Sequence, residues 1–169
     1  RGRSLCSNFG RNINSSINSK KKSINEISRS DVETFRRILG NDRVLVKGEN
    51  EHNDLTILSL NRDWMGRWEG NGSIVLYPET TEQVSRILSH CDENQIRVTP
   101  QGGKTGLVGG SIPVYDEIIL SMSKMNKIIE FDDETGVLVA ESGCILETLD
   151  EHVGRKGYLM PLDLGAKGS

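Results

Sequence analysis

Residues 100–111 read Pro100-Gln101-Gly102-Gly103-Lys104-Thr105-Gly106-Leu107-Val108-Gly109-Gly110-Ser111. Five of the nine residues from 102 to 110 are glycine, and the stretch follows directly on Ile96-Arg97-Val98-Thr99, a run with strand character. Glycine takes positive φ at no steric cost and lets backbone come close to a ligand. Successive N–H groups can then converge into a nest that binds anions. A diphosphate needs many donors, little bulk and a hydroxyl, here Thr105 or Ser111, for one more bond. Two other phosphate motifs fail. A Walker loop ending at Gly103-Lys104-Thr105 needs a glycine at position 98, which is Val98. The G-x-G-x-x-G spacing of dinucleotide folds occurs nowhere in the loop. The competing reading is a glycine-rich hairpin that binds nothing.

Working outward, the flanks alternate helix and strand signals. Ser30-Asp31-Val32-Glu33 reads as a capping box before a helix through Leu39, stopped by Gly40. Residues 41–73 are polar and contain Trp64 and Trp68, which predicts a long excursion held down by the two indoles. Ser73 to Tyr77 predicts a strand ended by Pro78. Thr80 and Gln83 form a second capping box, and Val84, Ile87, Leu88 and Cys91 fall on one helical face. Glu117–Ser121, Lys127–Phe131 and Val137–Ala140 predict strands, the last two joined by a turn at 132–136. Ile145, Leu146, Leu149 and Val153 mark a final helix, closed by Gly154 and Gly157. The order predicts an α+β domain rather than a regular doubly wound sheet.

Composition narrows the classes. The 169 residues are 35% hydrophobic and 5% aromatic, enough for one core. No run approaches the roughly 20 apolar residues of a membrane-spanning helix. Cys6, Cys91 and Cys144 are odd in number and far apart, so they form neither a disulfide framework nor a metal pair. The net charge of −3 argues against nucleic acid as a partner. That charge is asymmetric. Residues 1–30 hold seven basic side chains against one acid, Glu26, while the remainder holds fourteen basic against 23 acidic. The first 25 residues lack any acid and are rich in Ser and Asn. Such composition fits a mitochondrial transit peptide, with a plain basic tail as the alternative. The chain opens on Arg1 and closes on Gly168-Ser169, which suggests a segment of a longer protein. Three parts are expected: 1–30 basic leader, 31–72 helix and excursion, and 73–169 partial binding domain.

From about Ile74 to Ser169 the chain resembles the vanillyl-alcohol-oxidase, or PCMH-type, family of FAD-binding domains. The glycine loop carries the likeness, with Pro100 before it and Ile112-Pro113 after it. Asp116–Ser121, Ala140–Glu147 and above all Met160-Pro161-Leu162-Asp163-Leu164-Gly165-Ala166-Lys167-Gly168-Ser169 support it. The last stretch is similar to the branch acting on D-2-hydroxyglutarate, since D-lactate enzymes usually read Pro-Asp-Pro-Gly-Ala there. The resemblance implies a partial, truncated FAD-binding domain and oxidation of D-2-hydroxyglutarate to 2-oxoglutarate. The alternatives are D-lactate or another D-2-hydroxy acid, or an inactive fragment. It implies that Pro100, Gln101, Gly102, Gly103, Lys104, Thr105, Gly106, Gly109, Gly110 and Ser111 surround the FAD diphosphate. Pro161, Leu162, Asp163 and Gly165 would lie along the flavin or its ribityl chain. Many relatives attach FAD through a histidine beside the paired glycines. Lys104 stands there in this chain, so a non-covalent flavin is expected, with Lys104 solvated rather than paired with phosphate. The resemblance further implies a small 2-hydroxy acid substrate, electron-transfer flavoprotein as acceptor, and the mitochondrial matrix as location. A divalent metal, zinc, would sit in the substrate domain of the full-length protein.

No catalytic residue or metal ligand is assigned to this chain. His52, His90 and His152 are scattered and read as surface residues. Cys144, at a strand-to-helix junction, reads as a small buried hydrophobe rather than an activated thiol. Asp132, Asp133 and Glu134 read as a solvated turn. Trp64 and Trp68, spaced as on a helix, read as packing groups without a basic stripe for base stacking.

Overall fold

The computed structural model describes residues 26–169, so the basic leader expected over 1–30 lies almost wholly outside them. Helix α1 (Arg29–Leu39) starts two residues earlier than Ser30-Asp31-Val32-Glu33 predicts. Ser28 is the cap: its hydroxyl accepts from Asp31 N–H, and Asp31 carboxylate accepts from Ser28 N–H at 2.8 Å. Both tetrads satisfy the box pattern, and the one whose acid also packs inward prevails. Asp31 is buried and reaches His90 Nε2 at 2.8 Å. Phe35 and Leu39 follow on the buried face, and Gly40 ends the helix at φ +88.

The segment 41–73 is not a plain excursion. A 3-10 turn (Asn41–Arg43) leads into β1 (Val44–Val46), then α2 (Glu51–Leu60) capped by Asn50. The sequence hides both. β1 is three residues long, and α2 turns mainly Asn53 and Ile57 inward, so no apolar stripe forms. The two tryptophans lie beyond α2 and not on a helix. Trp64 is 64% exposed.

Strand β2 (Ile74–Leu76), helix α3 (Thr81–Glu93), strand β3 (Val98–Gln101) and strand β4 (Ile118–Ser121) complete the main sheet. Its order is β1-β2-β4-β3, with β1 antiparallel to β2 and the β2–β4 and β4–β3 pairs parallel. Alternation explains the continuous apolar runs Ile74-Val75-Leu76 and Ile118-Ile119-Leu120, which are buried on both sides. Ile74, Leu76, Ile118 and Leu120 face Phe35, Leu39, Ile87 and Cys91 of α1 and α3. Val75 and Ile119 face Ile57 and Leu60 of α2. The sheet is thus covered on both faces, and α2, unread in the sequence, supplies one cover.

Histidine placement differs from expectation in two of three cases. His90 bonds Asp31 and meets Phe35 edge to face at 5.3 Å, tying α3 to α1. His152 packs edge to face on Phe131. His52 is exposed. Downstream, β5 (Ile128–Phe131) and β6 (Leu138–Ala140) pair as a hairpin, followed by α4 (Leu146–Gly154). Asp132 caps the hairpin turn through Glu134 N–H and the Thr135 hydroxyl, and Asp133 pairs with Lys156 at 2.7 Å. The mixed helix and strand content is that of an α+β domain.

Candidate cofactor site

Parallel neighbours such as β3 and β4 need a crossover connection. Here the crossover is residues 102–117, which leave the C-terminal end of β3, where ligands bind in open sheets with parallel strands. The loop's glycines divide into two sets. Gly109 has φ +72, and a β-carbon there would stand 2.8 Å from Cγ of Trp68, so the protein itself demands glycine. A β-carbon on Gly103 would meet Ser169 at 2.8 Å. Gly102, Gly106 and Gly110 have neither constraint: φ is not positive and nothing of the protein lies within 4 Å of a β-carbon. Their bareness faces open space. Among the described residues, backbone N–H groups from 103 to 111 donate to no protein acceptor. A cradle lined by free N–H groups and missing β-carbons fits a diphosphate.

The side chains of the loop are placed as follows. Pro100 and Thr105 are exposed and Ser111 is half-buried. Gln101 is 1% exposed and turns inward, not toward the cradle. Its Nε2 donates to Leu60 O at 2.8 Å and to Ser111 O at 2.6 Å. Lys104 is not solvated as expected. Its Nζ donates to Ser59 O at 2.7 Å and Arg62 O at 3.1 Å, while its backbone sits at φ +55. Burial pushes its pKa down, and the nearby Asp63 carboxylate partly offsets this. Asp63 is itself held below the usual carboxylate range, chiefly by Trp68 N–H at 2.7 Å.

The second predicted contact segment meets the first at one point. Ser169 lies against Gly103, and Lys167 O accepts from Glu147 N–H at the start of α4. Pro161, Leu162, Asp163 and Gly165 are exposed, and Asp163 pairs with Lys167 at 2.9 Å. Beside that contact lies a cavity of about 270 Å³, lined among others by Gly102, Gly103, Ser142, Cys144, Thr148 and Ser169, and by none of Pro161, Leu162, Asp163 and Gly165. Ser142, Gly143 and Thr148 were not among the predicted contacts. Gly143 is legible in retrospect: a β-carbon there would lie 1.9 Å from Met122 O, so the strand-to-helix turn fits only with glycine. Cys144 is half-buried on this wall, not sunk in the core. Burial pushes its thiol pKa up, as it does for Cys91, which reaches about 11. Neither is an activated nucleophile. Among the described residues no cluster of His, Cys, Asp and Glu could hold a metal, and no helix is long and apolar enough to cross a membrane.

Comparison with known proteins agrees with this geometry. The FAD binding domain family matches residues 72–169. A probable mitochondrial D-2-hydroxyglutarate dehydrogenase of Oryza sativa subsp. indica is 49% identical over 143 residues, covering 85% of this chain and 24% of that protein. A putative mitochondrial D-lactate dehydrogenase of Schizosaccharomyces pombe is 48% identical over 145 residues, covering 85% of the chain and 28% of that protein. The chain thus spans about a quarter of the length of these curated relatives. Among solved structures, p-cresol methylhydroxylase with substrate bound superposes with a TM-score of 0.68 at 24% identity, over 84% of this chain and 28% of that one. The glycine crossover, the matched span and the shared fold together establish that this chain belongs to the FAD binding domain family.

Proposed function

We propose that the chain forms the first half of the FAD cradle of a D-2-hydroxyglutarate dehydrogenase, oxidising the substrate to 2-oxoglutarate. One observation carries the cofactor reading: Gly102, Gly106 and Gly110 present open space and unengaged N–H groups at the end of a parallel strand. The flavin, when bound, supplies the hydride acceptor for oxidation at the substrate's C2. This chain's part is binding and orientation. Residues 102–111 hold the diphosphate by backbone N–H groups, with Thr105 and Ser111 offering hydroxyls. Pro161, Leu162, Asp163 and Gly165 lie along the flavin side. With no histidine in the loop, the flavin is held non-covalently.

The substrate assignment rests on relatives named for D-2-hydroxyglutarate and on the Leu162-Asp163-Leu164-Gly165-Ala166-Lys167 stretch. The 48% identity to a putative D-lactate dehydrogenase favours a second reading, the same chemistry on D-lactate. Because the chain spans a quarter of its relatives, a third reading is a fragment without turnover of its own. Substrate contacts and a zinc ion belong, on this proposal, to a further domain. Electron-transfer flavoprotein takes the electrons, and the protein works in the mitochondrial matrix, with residues 1–30 as its transit peptide. The mitochondrial names of the relatives and the acid-free leader support that location.

The test is the visible spectrum of the purified full-length protein after gel filtration, followed by bleaching with each acid. A stoichiometric flavin band bleached faster by D-2-hydroxyglutarate than by D-lactate supports the main reading. The reverse preference selects the second. A colourless folded protein overturns both.

A further inference from the structure

Helix α2 ends twelve residues before the span matched to the FAD binding domain family begins at residue 72, yet the glycine loop is fastened to it. The last four carbonyls of an α-helix have no partner within the helix. In α2, Ser59 O accepts from Lys104 Nζ and Leu60 O accepts from Gln101 Nε2. Arg62 O, just beyond the helix, accepts a second bond from Lys104. Gln101 also holds Ser111 O, so one buried amide joins both ends of the loop to the helix. Its orientation is forced. Flipping the amide would aim Oε1 at two carbonyls, acceptor against acceptor. Lys104 adopts a left-handed backbone, uncommon for a residue with a β-carbon, and its ammonium interacts favourably with the helix C-terminus.

We infer that Gln101 and Lys104 are positioning residues that suspend the FAD loop from the C-terminal carbonyls of α2, making residues 51–62 part of the cofactor-binding machinery. This rests on the cofactor reading above but adds a distinct claim. Lys104 contributes no charge to the diphosphate, because its ammonium is committed to Ser59 and Arg62. Its effect on the cofactor is preorganisation of the N–H groups, which reduces the ordering cost of binding.

The experiment compares wild type, Lys104→Met, Lys104→Arg and Gln101→Asn in the full-length protein. Two readouts are taken: FAD affinity of the deflavinated protein by flavin fluorescence across salt concentrations, and hydrogen exchange of loop amides without FAD. The inference expects Lys104→Met to weaken FAD binding roughly tenfold with an unchanged salt slope. Loop amides in 102–111 and the C-terminal turn of α2 should exchange faster together, while far-ultraviolet circular dichroism stays unchanged. Lys104→Arg should restore part of the affinity, and Gln101→Asn should loosen the same amides. A flattened salt slope in Lys104→Met would show direct phosphate contact and overturn the inference. Unchanged loop exchange in Lys104→Met and Gln101→Asn would overturn it too. If wild type binds no FAD, the cofactor reading fails, and the exchange measurement still decides whether α2 holds the loop.

Discussion

The indole of Trp68 occupies the place a side chain on Gly109 would need, with Cγ 2.8 Å from where the β-carbon would stand. The same glycine has φ +72. Gly109→Ala therefore meets both a strained backbone and a ring. The expected loss of stability is on the order of 2 kcal/mol. Thermal unfolding measures it, and a changed tryptophan emission should accompany it. Removing the ring should relieve the steric part, so Gly109→Ala combined with Trp68→Ala should cost less than the two changes added separately.

Gly143 and Gly106 should behave in opposite ways. Gly143→Ala drives a β-carbon to 1.9 Å from Met122 O, which forces the turn before α4 away from the 3-10 turn at Met122–Lys124. Its cost should be several kcal/mol, on the order of 3, seen in denaturant unfolding. Gly106→Ala meets nothing of the protein within 4 Å. It should leave stability within about 0.5 kcal/mol of wild type. FAD affinity should nevertheless fall, because the new methyl enters the cradle.

Asp31 makes stability depend on acid. Burial raises its pKa, but the Ser28 hydroxyl and N–H and the neighbouring His90 more than offset this, so the net shift is downward. A carboxyl lowered on folding contributes fully above its unfolded pKa of about 3.9, and that contribution fades as pH falls through the folded value. Asp31→Asn should lose on the order of 1–2 kcal/mol at neutral pH. The gap from wild type should narrow below roughly pH 4. Urea unfolding at stepped pH checks the sign.

The two described thiols should differ in access. Cys91 is 2% exposed with its pKa pushed up to about 11, so it should resist alkylation in the native state. Cys144 borders the cavity beside Gly102 and Gly103, and its Sγ lies 3.4 Å from Lys127 O. It should react slowly, and bound FAD should slow it further. Mass spectrometry of each cysteine peptide after timed alkylation, with and without FAD, reads both outcomes.

Much of this architecture was legible because strong local signals agreed with the fold. Thr80 caps α3 through Gln83 N–H as its box predicts, and Ile87 and Cys91 face the core. The strands at 74–76, 118–121, 128–131 and 138–140 coincide with their apolar runs. The segment 41–73 was illegible for physical reasons. Val44-Leu45-Val46 is too short to declare a period, and α2 buries chiefly one aliphatic side chain, Ile57. Asn61 holds that segment by bonds to the backbone of Ile57 and Gly72, which leave no apolar pattern. The destination of Lys104 was hidden similarly. Its partners are backbone carbonyls, and any residues at 59 and 62 would supply them. The glycine loop suggested an anion cradle, and only the structure separated Gly109, whose β-carbon would meet Trp68, from Gly102, Gly106 and Gly110, which face open space.

The most direct test of the cradle is FAD affinity of the full-length protein before and after Gly106→Ala, read by flavin fluorescence alongside thermal unfolding. An unchanged melting temperature and FAD binding weakened by roughly tenfold or more are expected. Unchanged affinity in a folded Gly106→Ala protein would contradict the cradle reading, because the diphosphate would then lie elsewhere than against this loop.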